Sequence, residues 1–250
     1  MLQKSVWVVG LVSVSLVSAA SGCGGTQADD IAETHNALLA ENGLAANGLA
    51  ANGLAANGLA ANGLAANGLA DPMAQKFMEY VVSCALPTGR SVTFTQAGVS
   101  YTFAGWLGVA PEWEGQRCDG SCQRWVSACV LARLNKLGVH RQISIRGANP
   151  ALAITPHELV DFPVREATYY GNLFQPDQAR YACLPPGATQ IQRVCGDSLV
   201  GCAVGVPGEC RRVCERSGAY QTYRDCGTQP VGGHDDGYSY AETVTVFLAP

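Results

Sequence analysis

Eleven cysteines stand among 250 residues, at Cys23, Cys84, Cys118, Cys122, Cys129, Cys183, Cys195, Cys202, Cys210, Cys214 and Cys226. Cysteine at this density cross-links a chain, holds a soft metal as thiolate, or supplies a nucleophile. The spacing separates the three. The intervals are C-x3-C-x6-C over residues 118–129, then x11, x6, x7, x3 and x11 from Cys183 onward. No C-x2-C pair occurs, and no histidine sits at ligand spacing beside the cysteines, so structural disulfides are expected and a zinc site is not. No cofactor is expected.

A thiol nucleophile is the sharper alternative. Cys122 falls where an amphipathic helix begins, and free backbone N–H groups and the helix dipole lower a thiol pKa there. His140 or His157 would be its base. The segment Ser121-Cys-Gln-Arg-Trp-Val126 resembles the nucleophile helix of papain-like amidases that cut peptidoglycan. That resemblance implies an envelope hydrolase. Against it, Cys118 and Cys129 are near enough in sequence to bridge Cys122, and no motif marks a residue that would orient the base.

Other chemistry is weaker still. No G-x-S-x-G elbow is present. His157-Glu158 is not H-E-x-x-H, because the chain carries Asp161 where the second histidine belongs; it reads as a capped helical turn after Pro156. His234-Asp-Asp-Gly237 reads as an acidic turn, with cation ligation the alternative. Spacing marks no glycosidase pair among Glu112, Glu114, Asp119, Glu158, Asp161 and Glu166. Trp106, Trp113 and Trp125 suggest a carbohydrate surface; Trp113, between two glutamates, is the expected exposed contact and Trp125 the expected core residue. A net charge of −4 with scattered arginines gives no basic patch, so no nucleic-acid partner is expected.

The N-terminus carries Lys4 and an apolar run over Ser5–Val17, too short to span a bilayer and suited to a signal peptide. Ala20-Ser-Gly-Cys23 resembles the lipobox of bacterial lipoproteins, with Ala20 where leucine is usual. The resemblance implies removal of residues 1–22 and a diacylglycerol on Cys23. The membrane, reached through that lipid, is then one partner, and the location is the cell envelope, at the outer membrane or cell surface. Setting Cys23 aside leaves ten cysteines, an even number fit for complete pairing. A plain secretory signal cut near Ala20 is the alternative.

Residues 23–41 form a linker. Asn-Gly-Leu then recurs at 42, 47, 52, 57, 62 and 67, a five-residue period without charge over residues 42–70. On an α-helix this period spirals its leucines, and on a strand it alternates their faces. The segment resembles pentapeptide-repeat solenoids, but with Asn where that family places a small residue. It reads as a spacer, reaching roughly 100 Å when extended.

One domain is expected over residues 71–250, of α+β class: a small, mostly antiparallel sheet, two main helices, and a disulfide-rich, loop-rich C-terminal part. Asp71-Pro72 opens the first helix, whose stripe is Met73, Phe77, Tyr80, Val81 and Cys84. A hairpin follows over 91–103, with Gln96-Ala-Gly98 as its loop. The second helix is capped by Ser121 and runs to Leu137 before Gly138. Strands are expected over Val139–Arg146 and Thr243–Leu248, with a short strand and turn within Glu166–Phe174. Tyr80-Val-Val-Ser-Cys-Ala-Leu86, Cys122-Gln-Arg-Trp-Val-Ser-Ala-Cys-Val-Leu-Ala-Arg133 and Tyr170-Gly-Asn-Leu-Phe174 resemble a group of uncharacterised bacterial lipoproteins. Those share the repeat tether and the cysteine-rich domain. The resemblance implies an envelope location and transfers no catalytic residue. Two classes remain: a tethered binding or structural module facing an unknown envelope or extracellular ligand, and an envelope hydrolase.

Overall fold

The computed structural model describes residues 68–136, 140–175, 177–216, 220–228 and 239–250. The signal segment, Cys23, most of the repeat and His234–Gly237 lie outside them. Among the described residues no helix is long and apolar enough to cross a membrane.

Helix α1 (Pro72–Ala85) starts as its sequence dictates: the Asp71 carboxylate accepts from the Met73 N–H, and Pro72 occupies the first turn. Phe77, Tyr80, Val81 and Cys84 are buried, whereas Met73, at the frayed end of the stripe, is 38% exposed. The helix stops at Leu86, which is extended ahead of Pro87. Hairpin strands β1 (Ser91–Gln96) and β2 (Val99–Ala104) pair antiparallel, with Gln96 opposite Val99. The loop is therefore Ala97-Gly98, both at positive φ, and Gln96 belongs to the strand rather than the turn. Val92, Phe94 and Phe103 face the core, and Phe94 meets Phe103 edge-on at 5.8 Å.

The last repeat enters this layer. Gly68–Ala70 forms a 3-10 turn; Leu69 is 1% exposed, its N–H donates to Gln96 Oε1 at 3.0 Å, and its carbonyl accepts from Gln75 Nε2. The folded unit thus includes Leu69, two residues before the expected boundary at Asp71.

Helix α2 (Gly120–Ala132) is capped by Asp119, not Ser121: the Asp119 carboxylate accepts from the Cys122 N–H at 2.9 Å. It ends at Ala132 rather than Leu137. Leu134 stays buried beyond the helix, which explains why the apolar spacing runs on past the helical hydrogen bonds. Cys84 of α1 bonds Cys129 of α2.

The main sheet gathers β3 (Ser144–Arg146), β4 (Val164–Asn172), β5 (Ala179–Cys183) and a strand from far downstream, Val244–Leu248. Its order is β3, Val244–Leu248, β4, β5, with antiparallel neighbours throughout. Helix α2 packs on β4. The strand expected over Val139–Arg146 is confined to its last three residues, while β4 is a nine-residue strand where a short strand and turn were expected. Gly171 in β4 has φ +144°, and a Cβ there would lie 2.1 Å from the Ala179 carbonyl, so only glycine lets β5 approach. Between β3 and β4, helix α3 (Pro156–Asp161) is the turn expected after Pro156, capped by Thr155. The rest is short: α4 (Gln192–Cys195), α5 (Cys210–Val213), β6 (Glu215–Arg216) and β7 (Tyr223–Arg224). With Val244–Leu248 as β8, the architecture is α+β.

Candidate functional site

The expected chemistry begins with sulfur. The structure joins Cys84–Cys129, Cys118–Cys122, Cys183–Cys210, Cys195–Cys202 and Cys214–Cys226. Cys122 lies at the start of α2, as a nucleophile would, but its sulfur is bonded to Cys118. A bridged sulfur is not a thiolate and does not attack a carbonyl. His140 and His157 are both exposed, His157 on the first turn of α3. Cys183, Cys210 and Cys214 have sulfurs within 4.8 Å of one another, a separation suited to a metal, yet each is committed to a bridge.

The expectation of an exposed Trp113 is overturned. Trp113 is fully buried and meets Phe174 edge-on at 5.3 Å, because the 3-10 turn Pro111–Glu114 folds it inward while Glu112 and Glu114 face out. Trp125 and Trp106 are half-buried against the core. Four of the six acidic candidates are also occupied. Glu114 pairs with Arg90, and Asp119 caps α2. Glu158 is buried and accepts from Ser144 Oγ at 2.6 Å; burial, outweighing that bond and the Arg146 charge, raises its pKa.

Glu166 leads to a different place. Arg193 of α4 is buried and clasps Glu166 of β4, with Nη2 at 2.5 Å from Oε2 and Nε at 3.1 Å from both oxygens. Arg193 also donates to Tyr169 Oη and to the Leu134 carbonyl. Burial works against its charge, but the Glu166 carboxylate and Tyr169 hold the guanidinium pKa above its ordinary value. Burial pushes the Tyr169 hydroxyl well up, and the Glu166 charge adds to that.

This clasp lies against a cavity of about 820 Å³. It is of the size that takes a small molecule, on the order of 300–1,000 Å³. Lys136, Arg141, Arg165 and Arg193 line it, against the carboxylates Glu166 and Asp197. The amides of Asn135, Gln142, Gln190 and Gln192 and the apolar Ala188 and Leu248 complete it. With Arg193 paired to Glu166, the remaining cations of the lining, Lys136, Arg141 and Arg165, outnumber its remaining side-chain carboxylate, Asp197. Arg165 Nη2 donates to the Gln221 carbonyl at 2.7 Å, while its buried Nε makes no hydrogen bond. Cations and amide donors together suit oxygen-rich, anionic groups. Sequence reasoning missed this site, since its residues come from segments separated by long intervals and share no motif; the one usable signal was glutamine density over residues 190–192 beside Arg193.

A GLTT repeat model matches residues 39–70 in six copies. Those copies contain the Asn-Gly-Leu period and its last leucine, Leu69. No curated protein and no solved structure matches the chain.

Proposed function

We propose that the chain is a lipid-anchored protein of the cell envelope, at the outer membrane or cell surface, which holds a disulfide-stabilised binding domain away from the membrane on its repeat. One observation carries this reading: the ten cysteines of the domain pair among themselves, so Cys23 alone has no partner within it. An odd cysteine after an apolar leader and Ala-Ser-Gly is accounted for by acylation. The bridges favour an oxidising compartment. The cavity acts by binding, and its cation-lined wall takes an anionic envelope or extracellular ligand.

Mass spectrometry of detergent-extracted protein tests the anchor. Loss of residues 1–22 and an added diacylglycerol mass are expected; an unacylated terminus elsewhere overturns it. Calorimetric titration with a polyuronate oligosaccharide and with inorganic phosphate tests the cavity. Arg165→Gln should weaken whichever binds by roughly tenfold, as loss of one charge-assisted bond does. Binding by neither probe, or no response to Arg165→Gln, removes the anionic ligand from the proposal without touching the anchor.

A further inference from the structure

Two of the bridges touch. Cys183 Sγ and Cys214 Sγ lie 3.4 Å apart, although Cys183 is bonded to Cys210 and Cys214 to Cys226. All four cysteines are buried, in a small cluster with Val213, Tyr170, Tyr223 and Tyr240. Among the described residues no other three cysteine sulfurs gather this closely. Atoms roughly 3–3.5 Å apart are at the separation from which displacement begins, and Cys214 has to swing into line with the Cys183–Cys210 bond once its own bridge opens. We propose that Cys183, Cys210, Cys214 and Cys226 form one thiol–disulfide exchange centre, whose substrate is an external dithiol and whose two bridges pass electrons through the Cys183–Cys214 contact.

The bridge that opens first is Cys214–Cys226. It is flanked by β6 and β7, a ladder of two-residue strands whose Glu215, Arg216 and Arg224 are exposed, and so short a ladder opens locally at small cost. A thiolate of the dithiol attacks Cys226 Sγ, the Cys214–Cys226 bond breaks, and Cys214 leaves as thiolate. The second donor thiol, as thiolate, displaces Cys226 from the mixed disulfide. The donor becomes a cyclic disulfide, two electrons poorer, and Cys226 takes up a proton. The Cys214 thiolate then attacks Cys183 Sγ. A Cys183–Cys214 bond forms, the Cys183–Cys210 bond breaks, and Cys210 departs as thiolate and is protonated from solvent. One bridge and two thiols remain, but the reduced pair has moved from Cys214 and Cys226 to Cys210 and Cys226. The reducing equivalents reach the Cys183–Cys210 bridge without a donor ever touching Cys183 or Cys210.

Cys226→Ser, in full-length chain carrying Cys23→Ser to keep it soluble, isolates the second step, because it leaves Cys214 as the single thiol of the domain. Alkylation with iodoacetamide, without reductant, followed by peptide mapping should place label on both Cys214 and Cys210. At least about a tenth is expected on Cys210, together with a Cys183–Cys214 linked peptide, as for an isomer within roughly 1.4 kcal/mol of the native pairing. Cys84–Cys129, Cys118–Cys122 and Cys195–Cys202 should stay intact. Label confined to Cys214 overturns the proposal, and so does label spread over all cysteines, which means general scrambling. The same linked peptide should appear in chain with native domain cysteines, treated with substoichiometric dithiothreitol and quenched in acid. Finding only native pairs there overturns it even if the variant fails to fold. As a control, Cys129→Ser should carry its label on Cys84 alone.

Discussion

The layer formed by α1, the hairpin and α2 differs from the stretch between β5 and β7 in what holds it together. In the first, long helices and a hairpin of two six-residue strands bury Phe77, Tyr80, Val81, Phe94 and Trp113 in one core, and Cys84–Cys129 ties helices that already pack. In the second, the helices are single turns, and the cluster around Tyr170, Cys183, Cys210 and Cys226 is small. Three bridges close there within residues 183–226. Apolar burial needs elements long enough to present a face; where turns are too short, the chain is ordered by restricting what it does when unfolded. The same physical task is met by two different means within one domain.

Full reduction is the most forceful way to break this comparison. Each native bridge typically contributes ~2–4 kcal/mol. Residues 183–216 should therefore lose amide protection in hydrogen exchange while α1 and α2 keep theirs. Simultaneous loss in both regions would mean that they share one cooperative unit. The Arg193–Glu166 clasp, which ties α4 to the sheet, comes next. Glu166→Gln strands a buried guanidinium and should cost ~3–5 kcal/mol in urea unfolding, whereas Glu166→Gln with Arg193→Met should recover much of that loss. Leu69→Ala should cost ~2–5 kcal/mol, as a buried leucine does. Leu44→Ala, two dozen residues upstream in the same repeat, should stay within ~0.5 kcal/mol. A large effect at Leu44 would extend the packed layer back into the spacer.

The smallest effect concerns Glu158, whose pKa burial raises in the folded chain. A carboxyl raised on folding adds stability below its unfolded pKa and loses it as pH climbs through the folded value. Glu158→Gln should therefore flatten the decline in urea midpoint as pH rises above the ordinary glutamate pKa of about 4, and leave the variant the slightly more stable at neutrality. A steeper decline in the variant would reverse the assignment.

The two regions were unequally legible in sequence. Asp71-Pro72 and the 3.6-residue spacing through Cys84 announced α1 almost to the residue, because cap chemistry and apolar period act locally. Local signals failed where tertiary contact decides. Asp119 outcompeted Ser121 as the cap, a choice between neighbouring side chains that both accept hydrogen bonds. β5 passed unnoticed, since Ala179–Cys183 becomes a strand by pairing with β4 across Gly171. Trp113 looked exposed from its glutamate neighbours, but a 3-10 turn rotates it inward. The pairing of ten cysteines was legible as a number and not as a pattern, since spacing does not encode which chains of contacts bring sulfurs together. The cavity was illegible for the same reason.

The position of β8 bears on how the molecule is made. β3 and β4 are separated in the sheet by Val244–Leu248, so β3 has no neighbouring strand, and β4 only β5, until the chain has been synthesised roughly a hundred residues beyond β3. Loop closure over that distance is slow, and helix pairs with local contacts form long before it. A chain that lacks the middle of its sheet has no finished domain, only β4 paired with β5 and the helices beside them. Withholding the central strand works as a timer, keeping the sheet open until Val244–Leu248 arrives to close it.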